Sequence, residues 1–397
     1  MLPVDEALRI VLAHCRPQDA EVTPLAVTAI GLVLGEDVAS DLDSPPFDKA
    51  LMDGYAVRCA DFGGGDTVLS VAAEAMAGQD PPPLPRGQAI RIMTGAPIPA
   101  GADAVIRVEQ TRLMPVGRVR FETTPKVGQS ILPRGTEMKA RDVVLSSGSV
   151  LVPQELGLLA GVGRTTAKVI LSARLAVLAT GDELVEAEQM PGLGQLRNSN
   201  GPMLMAQATR AGASPRYLGI ARDDVKALRA LVEEGLKASI LVLSGGVSMG
   251  KLDLVPGVLK ELGVAPHFHQ IEMKPGKPLL FGSRAKTLVF GLPGNPVSSY
   301  CCFELFVRPA IRALGGHANP GPAWQEAGLA EEFAYATDRP TYHPAYLENV
   351  DGINRVQPVP WFGSPDLRAL TRANALMRVL IGSHRFAAGT RMPVLPL

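Results

Sequence analysis

Apolar positions change their spacing along the chain, and the changes divide it. Near the start, Leu8, Val11 and Leu12 fall on one face of a helix. The stretch TPLAVTAIGLVLGEDVASD follows, and residues 1–45 read as mainly helical. From Phe47 to about Leu132 the apolar runs shorten to segments such as TVLSVAAEAMAG, QAIRIM and DAVIRVEQ, separated by GGG, DPPPLPRG and GAPIPAGAD. Short strands between Gly/Pro turns predict a β-rich block. A helical pattern returns at PQELGLLAGVG within 138–171, so the β-rich block reads as an insertion between two halves of one helical domain.

From Ala173 onward, apolar strands alternate with amphipathic helices. RLAVLAT reads as a strand ending at Gly181, NSNGPMLMAQATRAG as a helix with Asn200 at its N-cap, and DDVKALRALVEEGLK as a second helix. SILVLSGG is a strand closing on two glycines, DLVPGVLKELG a helix, and TLVFGLPGNPVSSYCCFELFVRPAIRALGG a strand, a Gly/Pro loop and a long helix. Such alternation predicts a parallel α/β sheet, in which ligands sit at the carboxyl ends of the strands. After about Gly321 the texture is β again, in EEFAYAT, HPAYLENV, INRVQPV and GTRMPVLPL, with LRALTRANALMRVL as a helix-like interruption. The expected division is therefore a segmented helical domain (1–46 plus 138–171), an inserted β-rich domain (47–137), an α/β domain (172–321) and a small C-terminal β domain (322–397).

At 397 residues the chain is too long for one ordinary core. Its 39 basic and 39 acidic residues cancel, so it has no general attraction for nucleic acid or anionic lipid. Apolar runs are broken well short of a bilayer span, and acidic residues near the N-terminus argue against a secretory signal. Four scattered cysteines, Cys15, Cys59, Cys301 and Cys302, form no C-x-x-C pair and suit a reducing, cytoplasmic setting. Cys301 and Cys302 sit in an apolar helix and read as core. His267 and His269 share a strand face but lack a third ligand, which argues against zinc. No G-x-S-x-G, Walker A or G-x-G-x-x-G string is present.

Candidate chemistry concentrates in three strand-end loops. They are Thr180-Gly181-Asp182-Glu183; Ser244-Gly245-Gly246-Val247-Ser248-Met249-Gly250 with Asp253 beyond; and Gly291-Leu292-Pro293-Gly294-Asn295-Pro296-Val297-Ser298. Each alone is ordinary strand-to-helix turn chemistry. Three at successive strand ends suit a phosphorylated or pterin-like ligand, because glycines admit close backbone approach and helix starts favour anions. Glu183, Asp182 and Asp253 lie beside these glycines, and carboxylates next to phosphate call for a divalent cation such as Mg²⁺. Asp223 and Asp224 open a helix and serve equally well as caps or as metal ligands. Lys274-Pro275-Gly276-Lys277-Pro278 either aims two cations at phosphate or an oxyanion, or is a solvated turn. Residues 44–57 and Met93-Thr94-Gly95-Ala96-Pro97 read only as turns with polar tips.

Taken together, S-P-P-F-D-x-x-x-M-D-G-Y-A, M-T-G-A-P-x-P-x-G-A-D, T-G-D-E-L, N-x-N, S-G-G-V-S-x-G-x-x-D, K-P-G-K-P and L-P-G-N-P-V-S occur here in order. The set resembles the family of bacterial MoeA and the E domain of gephyrin from end to end. The resemblance implies an elongated homodimer of four domains: a segmented helical domain, an inserted β domain, a three-layer α/β molybdopterin-binding domain and a C-terminal β-barrel. It implies a Mg²⁺-assisted reaction in which adenylylated molybdopterin loses AMP and molybdate enters the dithiolene. It carries Asp53, Thr94, Glu183, Asp223, Asp253, Lys274 and Lys277 into the active site, with Asp53 and Thr94 supplied by the dimer partner. Glu183, Asp223 and Asp253 become the metal ligands. Thr180, Gly181, Ser244, Gly245, Gly246, Ser248, Pro293, Gly294, Asn295, Ser298 and Ser364 become the pterin-binding set. Molybdopterin adenylyltransferase and downstream cofactor enzymes are the implied protein partners; neither nucleic acid nor membrane is.

The chain departs from the family pattern at Glu137, where Asp is usual, at Gln270, at Ala375, and in a C-terminal arginine pair represented only by Arg339. Three other readings compete. A molybdopterin adenylyltransferase shares the α/β domain but lacks M-D-G-Y and the extra β domains. A scaffold of the gephyrin kind carries a long linker and a further domain with no counterpart here. A competence-damage-type nucleotide hydrolase lacks the β-rich block at 47–132.

Overall fold

The computed structural model describes residues 1–64, 66–222, 224–246 and 254–397. By its internal contacts the chain forms two compact units, one of residues 1–23, 27–35 and 168–397, the other of 24–26 and 36–167.

The first unit is built on a six-stranded sheet. Its strands are β1 (Arg174–Thr180), β2 (Ser214–Ala221), β3 (Ile240–Ser244), β4 (Ala265–His269), β5 (Leu280–Arg284) and β6 (Thr287–Leu292). They lie in the order β2-β1-β3-β6-β5-β4. β2, β1, β3 and β6 are parallel, and β5 and β4 add an antiparallel edge. Side chains alternate across the sheet as the two-residue period requires. Leu175 and Val177 of β1 enter a core with Leu204, Ala208, Val297 and Phe303 on one face. Ala176 and Leu178 enter a core with Leu228, Val232, Val258 and Leu259 on the other. Helices therefore cover both faces, giving the expected three layers. The N-terminal helix Val4–Ala13 joins the first face through the fully buried Ala7 and Val11.

The C-terminal segment closes into a barrel of Gln325–Leu329, Ile353–Pro358, Thr341–Val350, Ala375–Val379 and Arg391–Pro396, in that order. Ala345, Val356, Met377 and Val394 fill it. The β-barrel expectation is met. The expected helix through LRALTRANALMRVL is not: only Leu367–Leu370 is helical, and Ala375–Val379 pairs with both Thr341–Ala345 and residues 394–396 of the last strand.

The second unit holds a six-stranded sheet, ordered Ala104–Arg107, Gly54–Val57, Gln88–Ile92, Thr67–Ala75, Arg118–Phe121, Thr111–Met114. The predicted β-rich block is thus a sheet with two apolar faces, one around Ile90 and Ile92, the other around Tyr55 and Phe121. Gly54 sits between two neighbouring strands so tightly that a Cβ there would collide with the carbonyl of Ile106. That close approach explains glycine after Asp53.

Helix was expected through residue 45, and this is corrected. Beyond Val4–Ala13 the chain forms Ala20–Pro24, Val33–Leu34 and Val38–Ala39 as strands, with a short 3₁₀ turn at Val27–Ala29. The helix Pro153–Gly161 lies where PQELGLLAGVG placed it, with proline in its first turn and Glu155 accepting from the Val152 N–H.

Candidate active site

Parallel pairing sets the carboxyl ends of β1, β3 and β6 side by side: Ala179, Ser244 and Leu292 are neighbours across the sheet, with Thr180 next along β1. Since β2 and β3 lie on opposite sides of β1, the crevice between β1 and β3 is a topological switch point, where α/β sheets bind ligands. All three glycine loops leave from this edge.

Their geometry follows from close contacts. Gly245 and Gly246 both have φ in the left-handed region, +94° and +63°. A Cβ on Gly245 would lie 2.5 Å from the Thr180 carbonyl oxygen, and one on Gly246 2.8 Å from Thr180 Oγ1. These glycines let the β3 loop fold onto the end of β1. Gly294 differs, since the nearest atom to a Cβ there is Gly245 Cα at 3.9 Å. The space over Gly294 is open to a ligand.

Asn200 locks the loops together. Its side-chain Nδ2 donates to Ser244 Oγ at 2.8 Å and to the Gly294 carbonyl at 2.7 Å. Asn200 is the first residue of the helix Asn200–Arg210 rather than its N-cap, correcting the expectation. The Gly201 N–H is instead received by Asn198 Oδ1 at 3.0 Å, and Asn198 Nδ2 donates to Tyr217 at 2.7 Å. Tyr217 in turn donates to Glu186 at 2.9 Å; burial, with the Glu186 carboxylate beside it, pushes its phenol well above its ordinary range. The roles of Asn200, Asn198 and Tyr217 in holding the loops were not seen in the sequence, and the N-x-N string was the signal available.

The Pro293–Ser298 loop opens the helix Pro296–Cys302. Asn295 occupies the N-cap but does not cap; its Nδ2 donates to Ser364 Oγ at 3.0 Å, and the Val297 N–H donates to the Ser364 carbonyl at 3.0 Å. Ser364, expected near the site, is thereby joined to it. Ser298 is buried, and Ser299 bonds the Pro293 carbonyl.

Glu183 is exposed, and its carboxylate lies against Gly181: a Cβ on Gly181 would sit 2.5 and 2.6 Å from the two oxygens. Arg222 Nη1 donates to the Asp182 and Leu184 carbonyls at 2.8 and 3.2 Å, fixing this turn. Asp224 caps the helix Val225–Gly235, accepting from the Ala227 N–H at 2.8 Å. Asp223, Ser248 and Asp253, expected in the site, lie outside the described residues.

The lysine turn is pinned from three directions. Lys274 N–H donates to the Pro340 carbonyl at 2.9 Å and the Lys274 carbonyl accepts from Tyr342 at 2.8 Å, tying it to the barrel. Glu272 N–H donates to the Leu2 carbonyl at 2.8 Å. Beneath it Gly276, at φ +116°, faces Cys302, whose Sγ would be 2.6 Å from an added Cβ. Cys302 ends the same helix that the Pro293–Ser298 loop begins, roughly 9 Å along its axis. Lys277 is exposed, and Lys274 Nζ stands 6.0 Å over the Tyr335 ring. Lys274 and Arg339 together help hold the Asp338 carboxylate below its usual range against the opposing pull of desolvation.

Asp53 and Thr94, in the second unit, meet each other. Asp53 Oδ1 accepts from the Thr94 N–H at 2.7 Å and from Thr94 Oγ1 at 2.8 Å. These two bonds, the backbone one foremost, hold the carboxyl below its ordinary range, and Arg91 adds to them. Glu137, the departure noted above, accepts from Ser44 Oγ at 2.7 Å and stands 3.6 Å from Lys49 Nζ.

Mg²⁺ takes one or two carboxylates and completes its octahedron with water and phosphate oxygens. An exposed Glu183 beside glycine loops fits such a partial donor set. Among the described residues no three acidic, histidine or cysteine side chains form a complete cage. No helix among them is long and apolar enough to cross a membrane.

Comparison with known proteins converges. Residues 2–163 match the model "MoeA N-terminal region (domain I and II)", 176–313 "Probable molybdopterin binding domain", and 326–397 "MoeA C-terminal region (domain IV)". A molybdopterin molybdenumtransferase of Bacillus subtilis is 32% identical over 99% of this chain and 94% of its own length. One of Nostoc is 36% identical over 96% and 89%. Gephyrin of Dictyostelium discoideum is 33% identical over 88% of this chain and 55% of its own. Among solved structures, a molybdopterin biosynthesis MoeA protein of Pyrococcus horikoshii superposes with a TM-score of 0.85 at 29% identity, covering both chains completely.

Proposed function

The chain belongs to the MoeA family, and on that premise we propose that it is the molybdopterin molybdenumtransferase of molybdenum-cofactor biosynthesis, inserting molybdate into adenylylated molybdopterin with release of AMP. The observation that carries the reading is the junction made by Asn200, which fastens the β3 and β6 loops into one surface at the switch point. That surface suits a flat pterin and its phosphate, with open backbone at Gly294.

Each residue has a task that its chemistry allows. Lys274 and Lys277 attract molybdate and offset phosphate charge, since preorganised cations stabilise charge that builds up in the transition state. Glu183, with Asp223 or Asp253, would hold Mg²⁺, and a bound Mg²⁺ polarises the phosphoanhydride. Asp53, kept ionised by Thr94, orients the attacking oxygen. In this reading the protein works as a homodimer in the cytoplasm, and Asp53 and Thr94 of the second subunit complete the pocket. The domain limits 1–46 plus 138–171, 47–137, 172–321 and 322–397 belong to the same proposal.

The test is direct. Purified protein is given adenylylated molybdopterin, molybdate and Mg²⁺, and AMP and molybdenum cofactor are measured without ATP. A mixture of Asp53→Asn and Lys274→Gln subunits, each inactive alone, should recover part of the activity when dimers exchange. Turnover that requires ATP, or full activity in Asp53→Asn, refutes the assignment.

A further inference from the structure

Away from the glycine loops, on the sheet face that also packs Leu204 and Val297, the long helix after β6 carries a five-residue π-helical segment, Phe303–Val307. π-Bulges are rare and gather at functional sites. This one holds Glu304, a carboxylate whose side chain is 1% exposed. Arg210 Nη2 approaches it at 2.5 Å, Arg308 Nη1 at 3.0 Å and Gln207 Nε2 at 2.7 Å. One turn further on stands Arg312. Its Nη2 donates to the Asn319 carbonyl at 3.2 Å, and among the described residues its buried Nε has no partner.

Arg210, Arg308 and Arg312 line one cavity of about 200 Å³, together with Ser172 and His317. Three guanidinium charges meet one carboxylate, so the cluster keeps two positive charges in excess. Arg308 and Arg312 are four residues apart on one helix face, where like charges repel. Desolvation, then Arg308, holds the Arg312 guanidinium below its ordinary range, and His317 is lowered by burial and by Arg312. An unpaired buried N–H and an unbalanced pair of cations both cost free energy that an anion would offset. Guanidinium forks match tetrahedral oxyanions in geometry as well as charge. The volume accommodates a small oxyanion.

We propose that this pocket is a second oxyanion site, separate from the glycine loops and lysine turn, which takes a tetrahedral dianion of the molybdate, sulfate or phosphate class. The inference stands on the arginine cluster alone and survives even if the activity proposed above is wrong.

The experiment is calorimetric titration of the full chain with molybdate, with sulfate and phosphate titrated separately to identify the preferred anion. The background protein carries Lys274→Gln and Lys277→Gln, which removes the other cationic site. Arg312→Gln should weaken binding at least fivefold. Glu304→Gln keeps an acceptor for Arg210 and removes the one negative charge, so it should tighten binding at least threefold; circular dichroism checks that each variant is folded. Gain of affinity on removing a buried acid cannot come from unfolding. Affinity unchanged in Arg312→Gln, no tightening in Glu304→Gln, or no oxyanion bound in the background protein overturns the proposal.

Discussion

Asn200 Nδ2 and Ser244 Oγ lie 2.8 Å apart, and through this bond the first residue of a helix holds the end of the neighbouring central strand. The same amide also donates to the Gly294 carbonyl. Asn200→Ala leaves a buried hydroxyl and a carbonyl without their donor, at roughly 1–3 kcal/mol. We expect a lower denaturation midpoint by chemical unfolding and a larger KM for the pterin substrate. Unchanged KM with normal stability would show that the loops are held by other means.

The two kinds of glycine in the loops should separate by experiment. Gly245 has φ +94° and no room for Cβ, so Gly245→Ala should destabilise the fold by about 1–3 kcal/mol. Gly294 has room, so Gly294→Ala should fold normally and lose pterin affinity instead. Thermal unfolding and ligand binding of both variants read out the contrast, and it fails if Gly294→Ala binds as well as the parent.

Thr94 sets the ionisation of Asp53. Both hydrogen bonds favour the carboxylate, so Asp53 stays charged to lower pH than a free aspartate. Because the folded value is depressed, its stabilising contribution is present above the ordinary aspartate range and is lost as pH falls through the depressed value. Thr94→Val removes the hydroxyl bond and should move the Asp53 titration upward, as seen by carboxyl-carbon NMR, and shift the acid limb of the activity profile the same way. A titration that does not move would mean that the backbone bond alone sets it.

Ser364 links the barrel-side segment to the β6 loop through Asn295. Ser364→Ala keeps the backbone bond from Val297, so global stability should change by less than about 1 kcal/mol while KM rises several-fold. Equal losses in stability and affinity would point to a structural role only.

What the sequence disclosed follows a physical division. Strands β1, β3 and β6 were legible because they are buried on both faces and read as unbroken apolar runs. Val33–Leu34 and Val38–Ala39 were read as helix because their partners are remote: Val169–Ile170 for the first, Val143–Leu145 for the second. Gly31 and Gly35 were the local hint against a helix. Ala375–Val379 was hidden for the same reason, its register set by strands on both sides. In the site, the loop glycines were visible as a motif. Asn200 as a clasp was not, since its partners lie at Ser244 and Gly294, positions that only the sheet order brings together.

The lysine turn takes its hydrogen bonds from Leu2 at one end of the chain and from Pro340 and Tyr342 toward the other. A nascent polypeptide halted before residue 340 would already contain every strand of the central sheet, yet Lys274 would lack the carbonyl and amide that anchor its backbone. The geometry of this turn is therefore completed late in synthesis, when the closing barrel reaches back to a loop made long before. A chain ended at residue 321 should keep its sheet, and protease should cut it selectively around 274–278.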